Sequence, residues 1–196
     1  MFDKIISVLA LFVAATFANG NDLLISTQLS TLGNLKVGQF LPNFAGVDLS
    51  LPGLELIDRD DLMNQVKDAG VPAHPVLVFF STTCLPCRVG LFSLRDHADE
   101  LTKNKVQVLL VALGDDRATV RRYLQEFNIP FHVLHDPEGK AAIRYGVMGK
   151  SGQMMDAKIP VTVVGDAKGF VTLFITNEGA DYLSLVMATK SKKQGP

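Results

Sequence analysis

The sequence has no tryptophan, only three tyrosines and only two cysteines in 196 residues. Few aromatic side chains could stack on bases, and lysine and arginine are scattered through a chain of formal net charge −1, so we predict no nucleic-acid partner. A cysteine-based zinc site needs a second pair of ligands, and no second CxxC motif is present, so we predict neither a metal centre nor a cofactor. Apolar residues make up 47% of the chain, which indicates a globular protein.

Both cysteines belong to one motif, Cys84-Leu85-Pro86-Cys87, which directly follows the apolar run 75–80. Two thiols at this spacing can alternate between dithiol and disulfide, with one attacking a foreign disulfide and the other resolving the mixed intermediate. Because the same spacing forms half of many zinc sites, a metal or structural role is the alternative. The unpaired N–H groups at a helix start favour an anion at Cys84, so we predict Cys84 as the nucleophile and Cys87 as the resolving cysteine.

The neighbours of the two cysteines are the candidate site-tuning residues Thr83, Leu85 and Pro86. We expect Thr82 or Thr83 to cap the helix, and Pro86 to stiffen the motif by removing one backbone donor. Arg88 either adds positive charge near the thiols or points into solvent, and the sequence leaves both orientations open.

Residues 1–20 have the order of a secretory signal peptide. Lys4 precedes an apolar stretch over 5–15, and small residues follow, so cleavage would fall after Ala18 or Gly20. An uncleaved anchor is the alternative, although the stretch is shorter than the roughly 20 apolar residues that span a bilayer. A thiol pair outside the cytoplasm becomes oxidised unless a donor reduces it, so export would require a reducing partner.

The pattern of segments predicts one α/β domain over residues 35–189, with a mixed central sheet covered by helices on both faces. Residues 21–34 read as a linker, and residues 190–196 read as a disordered, solvated tail. The strand-to-helix junction that holds the two cysteines lies where such folds place their chemistry.

Continuous or alternating apolar runs predict the strands, and apolar residues at helical spacing predict the helices. The predicted strands span 76–80, 106–113, 131–134, 161–164 and 170–175. The predicted helices follow Asp58, span 84–101, follow Asp115 or Asp116, and span 178–189. In the second of these helices, Val89, Phe92 and Leu101 are the expected inward side chains.

The dipeptide Ile159-Pro160 opens the first strand of the final hairpin. A proline is tolerated in trans at the first position of a strand. A cis bond would instead bring the backbone of Ile159 against the CxxC motif, where it could pair with an extended segment of a partner. The residues alone leave the two conformations open.

Two further sets of side chains have metal-binding chemistry. His132 and His135 are three residues apart, but they lie where a strand passes into a turn, which disfavours a shared ligand site. Met148, Met154 and Met155 precede the final hairpin and offer soft ligands for copper, although filling gaps near the site is the more common role of methionine.

Several segments together resemble the thioredoxin-like superfamily, and within it the exported TlpA-like, or redoxin, proteins related to the AhpC/TSA family. The matching segments are the lead-in 37–44, the strand and CxxC motif over 75–88, the insertion 106–146, residues 159–162 and the hairpin turn 166–169. The resemblance implies a thioredoxin-like fold with an N-terminal extension and a strand–helix–strand insertion. It also implies that Ile159 and Pro160 form a cis-proline loop that binds the substrate.

The resemblance further implies a periplasmic thiol–disulfide oxidoreductase that reduces client disulfides and is itself reduced by a membrane thiol donor. A membrane-anchored form facing the periplasm is the alternative location. Clients in the family include apocytochromes c and copper-site proteins. The sequence departs from its relatives at four positions. Thr83 replaces the usual Trp, Gly90 replaces a frequent Glu, and Phe92 replaces the Pro that follows that Glu. Val78 replaces the buried Asp of thioredoxin. The predicted reaction is therefore better defined than its redox potential or its proton route.

Two rival functions remain open. A peroxiredoxin keeps Pro and Thr upstream of its reactive cysteine, and Phe80 and Ser81 stand at those positions here. A copper- or haem-handling binding module would use the two thiols as ligands rather than as redox groups. Reduction of client disulfides is the leading prediction.

Overall fold

The computed structural model of the protein describes residues 28–68, 74–177, 179 and 181–188. The predicted signal peptide and the predicted C-terminal tail lie outside these residues. The described strands are β1 (Gln28–Leu29), β2 (Thr31–Leu32), β3 (Leu35–Lys36), β4 (Ala45–Val47), β5 (Leu56–Asp58), β6 (His74–Phe80), β7 (Val106–Leu113), β8 (His132–Asp136), β9 (Val161–Gly165) and β10 (Val171–Ile175). The described helices are α1 (Arg59–Asp68), α2 (Leu85–Asp96), α3 (Ala98–Lys103), α4 (Arg117–Glu126), α5 (Lys140–Arg144) and α6 (Tyr182–Met187), with a 3-10 turn at Met154–Asp156.

Six strands form the central sheet in the order β1-β10-β9-β6-β7-β8. The strands β6, β7 and β8 are parallel neighbours, whereas β9 runs antiparallel to β6, and β10 and β1 continue the antiparallel side. Both β6 and β7 are almost fully buried, because helices cover the two faces of the sheet. This architecture confirms the predicted α/β fold with a mixed sheet flanked by helices.

Alternate residues of β6 point into two cores on opposite faces of the sheet. Leu77 and Phe79 belong to one core, together with side chains of α1 and α5. Val78 and Phe80 belong to the other core, together with side chains of α2, α3, α4 and α6. Each of these four residues is at most 1% exposed. Packing on both faces and pairing on both edges therefore fix the position at which β6 ends.

The N-terminal extension packs on the domain earlier in the chain than the predicted boundary at residue 35. Strand β1 pairs with β10, and β2 pairs with β3. Leu32 is 2% exposed, and a Cβ atom on Gly146 would clash with the carbonyl oxygen of Leu32. Gly146 also has a φ of 72°, which favours glycine. The described part of the predicted linker 21–34 is thus part of the folded domain.

The predicted strand–helix–strand insertion is present as β7, α4 and β8, and the chain continues into α5. Asp116 caps α4 by accepting the N–H of Thr119 at 3.0 Å. At the start of α1, Asp58 accepts the N–H of Asp61 at 2.8 Å, and Asp61 accepts the N–H of Asp58 at 3.0 Å. The cap of α1 is thus reciprocal. Both caps satisfy backbone donors that the first helical turn leaves unpaired, and they confirm the predicted starts of both helices.

The helix predicted over 84–101 is instead two helices, α2 and α3, which meet at His97. His97 has a φ of −116° and a ψ of 21°, and its Nδ1 lies 2.8 Å from the carbonyl oxygen of Ser93. The break is not visible in the sequence, because no glycine or proline marks it and the apolar periodicity continues through it. Leu101 is buried as predicted, but it belongs to α3.

The prediction that Val89 points inward is wrong, because Val89 is 63% exposed. The buried face of α2 follows a stripe through Cys87, Leu91 and Leu94, and Val89 lies off this stripe. Phe92 packs against the core at half-burial, as expected.

Asp48 fixes the loop after β4 to the edge strand β8. Its side chain is 3% exposed, and its carboxylate accepts the N–H of Val133 at 3.1 Å and the N–H of Ser50 at 2.9 Å. The Nδ1 of His132 lies 2.6 Å from Oδ2 of Asp48. Burial raises the pKa of Asp48, but the hydrogen bonds from His132 and the backbone outweigh burial and lower the pKa to about 2. The hydrogen bond to Asp48 in turn raises the pKa of His132, against the lowering effect of burial.

We expect Asp48→Ala to lower the free energy of unfolding by about 3 kcal/mol, because it leaves buried donors without their acceptor. The pKa of Asp48 lies below its ordinary value of 3.8, so its contribution to stability is full above about pH 4 and is lost as the pH falls toward 2. The pKa of His132 lies above its ordinary value of 6.5, so its contribution is full below pH 6.5 and is lost as the pH rises through the raised pKa. Urea unfolding across this pH range measures both effects.

The matched control is Asp96→Asn, since Asp96 is an exposed partner of Arg95 on α2. We expect no measurable change in the free energy of unfolding for this variant, because exposed ion pairs contribute little. An Asp48→Ala protein as stable as the control would contradict the anchoring role of Asp48.

Candidate functional site

The CxxC motif begins in the turn between β6 and α2, at the carboxyl edge of the parallel strands. The N–H of Cys84 donates to the carbonyl oxygen of Ser81 at 3.2 Å, which closes the turn. The hydroxyl oxygens of Ser81 and Thr83 are 3.2 Å apart. The N–H of Thr82 donates to Oδ2 of Asp115 at 2.7 Å. The turn is therefore held by its own hydrogen bonds and by the loop between β7 and α4.

Cys84 is itself the N-cap residue of α2, and its sulfur accepts the N–H of Cys87 at 3.2 Å. The prediction that Thr82 or Thr83 caps this helix is wrong, because the Thr83 hydroxyl bonds to Ser81 and the helix begins one residue after Cys84. Pro86 occupies the first turn, where a missing N–H leaves no helical hydrogen bond unmade. A thiolate at Cys84 would receive both a backbone N–H and the positive end of the helix dipole.

The two cysteines form a disulfide, with their Cα atoms 5.3 Å apart. Their environments differ, because Cys87 is 1% exposed and belongs to the core that contains Val78 and Phe80, here called the second core, whereas Cys84 is half-buried. An incoming sulfur therefore has access to Cys84 and not to Cys87. The predicted division into an attacking Cys84 and a resolving Cys87 would use this difference in exposure.

The peptide bond between Ile159 and Pro160 is cis. Of the two conformations that the sequence left open, the structure has the one that the family resemblance implied. Strand β9 pairs with β6 so that Val161 lies opposite Phe79, and the same register continued by one residue brings Pro160 level with Phe80. Pro160 thus lies beside the end of the strand that leads into the CxxC turn, and Ile159 packs against both cores at half-burial.

A third loop reaches the same place, and sequence reasoning missed its role. It joins β7 to α4, and Asp115 in this loop was expected only as an alternative cap for α4. Gly114 has a φ of 71°, and a Cβ atom there would lie 2.7 Å from Cγ of Met154. The loop therefore contacts the CxxC turn through Asp115 and the segment before Pro160 through Gly114. The sequence signal for this role is the second of two possible cap residues: Asp115 stands beside Asp116 just after β7, at the carboxyl edge of a strand parallel to β6.

Arg88 points toward α4. Its guanidinium lies 5.3 Å from the ring centroid of Phe127, within cation–π distance. Burial raises the pKa of Tyr123, and a hydrogen bond from Arg88 opposes this shift. Arg88 therefore ties α2 to α4 rather than pointing into solvent.

The positions at which the sequence departs from its relatives have distinct surroundings. Val78 is 1% exposed within the second core, and Gly90 is buried on the inner face of α2. Thr83 is exposed at the turn. Leu85 is 67% exposed on the first turn of α2, so an apolar side chain faces solvent directly beside Cys84.

The two histidines considered as metal ligands serve separate contacts. His132 bonds to Asp48, and Nε2 of His135 donates to the carbonyl oxygen of Asp115 at 2.9 Å. Over the described residues, no three His, Cys, Asp or Glu side chains are grouped closely enough to hold a metal ion. Among the methionines, Met148 is 5% exposed and fills the space above Gly139, whereas Met155 is 94% exposed.

The sequence pattern of the AhpC/TSA family matches residues 37–174. The chain belongs to this family. The match spans the lead-in, the CxxC turn, the insertion and the hairpin, so it confirms the predicted thioredoxin-like family of redoxins.

Two curated relatives in this family have different names. ResA, a thiol-disulfide oxidoreductase from Oceanobacillus iheyensis, is 25% identical over 113 residues, which are 57% of this chain and 55% of ResA. Peroxiredoxin Bcp from Escherichia coli is 29% identical over 140 residues, which are 69% of this chain and 81% of Bcp. The chain thus spans little more than half the length of this ResA, and it is similar both to a protein named as a thiol-disulfide oxidoreductase and to one named as a peroxiredoxin.

The crystal structure of a secreted thiol-disulfide isomerase from Corynebacterium glutamicum superposes with a TM-score of 0.61 at 19% identity. The superposition covers 82% of this chain and 96% of the isomerase. At this identity the likeness shows the fold.

We expect iodoacetamide to modify Cys84 at least about tenfold faster than Cys87 in the folded, reduced protein, because only Cys84 has access to the reagent. Peptide mass mapping of quenched time points would measure the two rates. In denaturant, where both thiols are exposed, the rates should agree within about twofold. Equal rates in the folded protein would contradict the assignment of separate roles.

Proposed function

We propose that this protein is an exported thiol–disulfide oxidoreductase that reduces the disulfides of client proteins. One observation carries the proposal: a disulfide at the start of α2 joins an accessible Cys84 to a buried Cys87. The residues Ile159 and Pro160 support it, because they lie beside this turn with a backbone that an extended client could pair with. Thr83, Leu85 and Pro86 surround Cys84 and would tune its reactivity.

The proposed reaction begins with attack by the Cys84 thiolate on one sulfur of a client disulfide. The client S–S bond breaks as the bond between Cys84 and the client forms, and the departing client thiolate takes up a proton. Cys87 then loses its proton and attacks the sulfur of Cys84, which forms the Cys84–Cys87 disulfide and releases the second client thiolate. Two electrons pass from the dithiol to the client. The proton that Cys84 lost on ionising and the proton that Cys87 loses balance the two protons taken up by the two client thiolates.

The disulfide form must be reduced before the next cycle. In the proposed setting outside the cytoplasm, a membrane thiol donor supplies the electrons. In this proposal, residues 1–20 direct export and residues 190–196 form a tail. Residues 35–189 form the catalytic domain, together with the strands β1 and β2 that precede residue 35. In the part of the chain that the structure describes, no helix has the length and apolar character needed to cross a membrane. The proposed location is the periplasm, and the proposed clients include apocytochromes c and copper-site proteins.

A peroxiredoxin-like activity is the second candidate, and the similarity to Bcp over 81% of that protein favours it. Ser81 stands three residues before Cys84, where a peroxiredoxin keeps Thr. Ser81 is buried, and its hydroxyl oxygen lies 3.2 Å from that of Thr83. Consumption of hydrogen peroxide with dithiothreitol as the reductant tests this activity. Rapid consumption without reduction of insulin disulfides would favour the peroxidase over the reductase.

We expect Cys87→Ser to trap mixed disulfides with clients, because Cys84 can still attack but nothing releases the product. Cys84→Ser should trap at least about tenfold less, since the remaining thiol is buried. Non-reducing electrophoresis of the two variants, expressed with their native N-terminus, measures the trapped species.

Wild-type protein and the double Cys→Ser variant are the controls, and both should trap little. Equal trapping by the two single variants would contradict the proposed roles. Reduction of insulin by the wild type, together with a redox potential of about −270 mV for the dithiol, would indicate a reductant. A redox potential of about −120 mV would indicate an oxidant. Stoichiometric retention of Cu(I) without any disulfide reduction would instead favour the binding module.

A further inference from the structure

The loop Gly114-Asp115-Asp116 lies between the two parts of the proposed active site. Oδ2 of Asp115 accepts the N–H of Thr82 at 2.7 Å, only two residues before Cys84. On the other side, Met154 packs over Gly114 in the segment that leads to the cis-proline. Asp115 is the carboxylate that the described hydrogen bonds connect directly to the CxxC turn.

The two neighbouring carboxylates of this loop have different partners. Asp116 is exposed and caps α4, with Oδ1 accepting the N–H of Thr119 at 3.0 Å and Oδ2 accepting its hydroxyl at 2.7 Å. Asp115 is half-buried and faces the CxxC turn. Capping of the helix therefore does not require Asp115.

The backbone of Asp115 is held as firmly as its side chain. Nε2 of His135 on β8 donates to the carbonyl oxygen of Asp115 at 2.9 Å, so the His135 ring carries a proton on Nε2. Gly114 directly precedes Asp115, and its backbone position is fixed by its positive φ and by its contact with Met154. The carboxylate is thus presented to Thr82 from a position fixed by β8 and by the turn near Met154.

We propose that Asp115 is a positioning residue of the dithiol, whose carboxylate holds the turn before Cys84 and whose negative charge opposes formation of the Cys84 thiolate. The carboxylate lies 2.7 Å from the nitrogen of Thr82, and two residues of chain span at most about 7 Å. This charge therefore lies within about 10 Å of the Cys84 backbone, which is about one Debye length at 0.1 M salt. The helix start favours the thiolate, and Asp115 acts against it. The balance of the two sets how much thiolate is available for attack.

The inference rests on the proposed function, because thiolate availability matters only if Cys84 is the attacking group. Less thiolate slows attack, but it also disfavours the ionised dithiol relative to the disulfide, which makes the pair a stronger reductant. Three other ionisable groups near the turn have partners of their own. Arg88 lies on Phe127, Asp116 bonds to Thr119, and the ring of His135 bonds to the backbone.

The test uses Asp115→Asn, which keeps an oxygen acceptor for the N–H of Thr82 and removes the charge. In a Cys87→Ser background, so that Cys84 is the single thiol, we expect iodoacetamide to react about three- to tenfold faster with the Asn variant near pH 6. Raising the salt from about 0.01 M to about 0.5 M should shrink this difference, because salt screens the charge. Asp115→Glu should restore the slower rate.

The matched control is Asp116→Asn, which removes the same charge one residue away. We expect it to change the alkylation rate by less than about twofold, since the Asp116 carboxylate is exposed and screened. An unchanged rate in Asp115→Asn, or an equal change in both variants, would overturn the proposal. Hydrogen exchange at the Thr82 amide would separate a lost hydrogen bond from a lost charge, because it should speed up in Asp115→Ala and not in Asp115→Asn.

This readout is independent of clients. A rate change in Asp115→Asn with no trapping by Cys87→Ser would leave the role of Asp115 intact and reject client reduction. Trapping by Cys87→Ser with no rate change in Asp115→Asn would support client reduction and reject the role of Asp115. The redox potential of the wild-type dithiol, compared with that of Asp115→Asn, provides the final check: the variant should be the weaker reductant.

Discussion

The buried strand β6 is the element on which the rest of the site depends. It pairs with β7 on one edge and β9 on the other, and its side chains alternate between two closed cores. Because neither a shift in register nor a rotation is possible without exposing one of these cores, the end of the strand at Phe80 is fixed in space. The CxxC turn begins there, and the register with β9 brings Pro160 to the same level. A reactive turn thus gains its position from the least adaptable part of the molecule.

The two cysteines are chemically identical but differ in what surrounds them. One helical turn separates a sulfur at the N-cap of α2 from a sulfur in the apolar core, so the same helix supplies a stabilised anion position and a shielded thiol. In the proposed reaction, this difference in surroundings would by itself make Cys84 the first cysteine to react. In the proposed reaction, the strength of the pair as a reductant would be set from outside the motif, and Asp115 in the neighbouring loop bonds to the CxxC turn.

Much of this organisation could be predicted from local sequence. The run 76–80 identified the central strand because a strand buried on both faces has no polar alternation, and Asp58 marked a helix start by ordinary capping chemistry. Local rules did not reveal that the sulfur of Cys84 acts as the cap, since that role is usually taken by a hydroxyl or carboxylate oxygen. They also could not assign Asp115, whose partner lies 33 residues away and meets it only because β6 and β7 are adjacent. The isomer at Pro160 is likewise set by tertiary context.

The hairpin of β4 and β5, held by Asp48, affects how other chains can approach the sheet. An open edge strand presents unpaired backbone groups that can recruit another extended chain indiscriminately. At β8 this edge is blocked, since Asp48 bridges to Leu134 and the N–H of Leu49 donates to the carbonyl oxygen of Val133 at 2.8 Å. At the opposite edge, Gln28 and Leu29 of β1 pair with Ile175 and Phe174 of β10. Backbone pairing with a foreign segment is therefore disfavoured along β8, and in the proposed function a client chain would instead pair beside the cis-proline, next to Cys84.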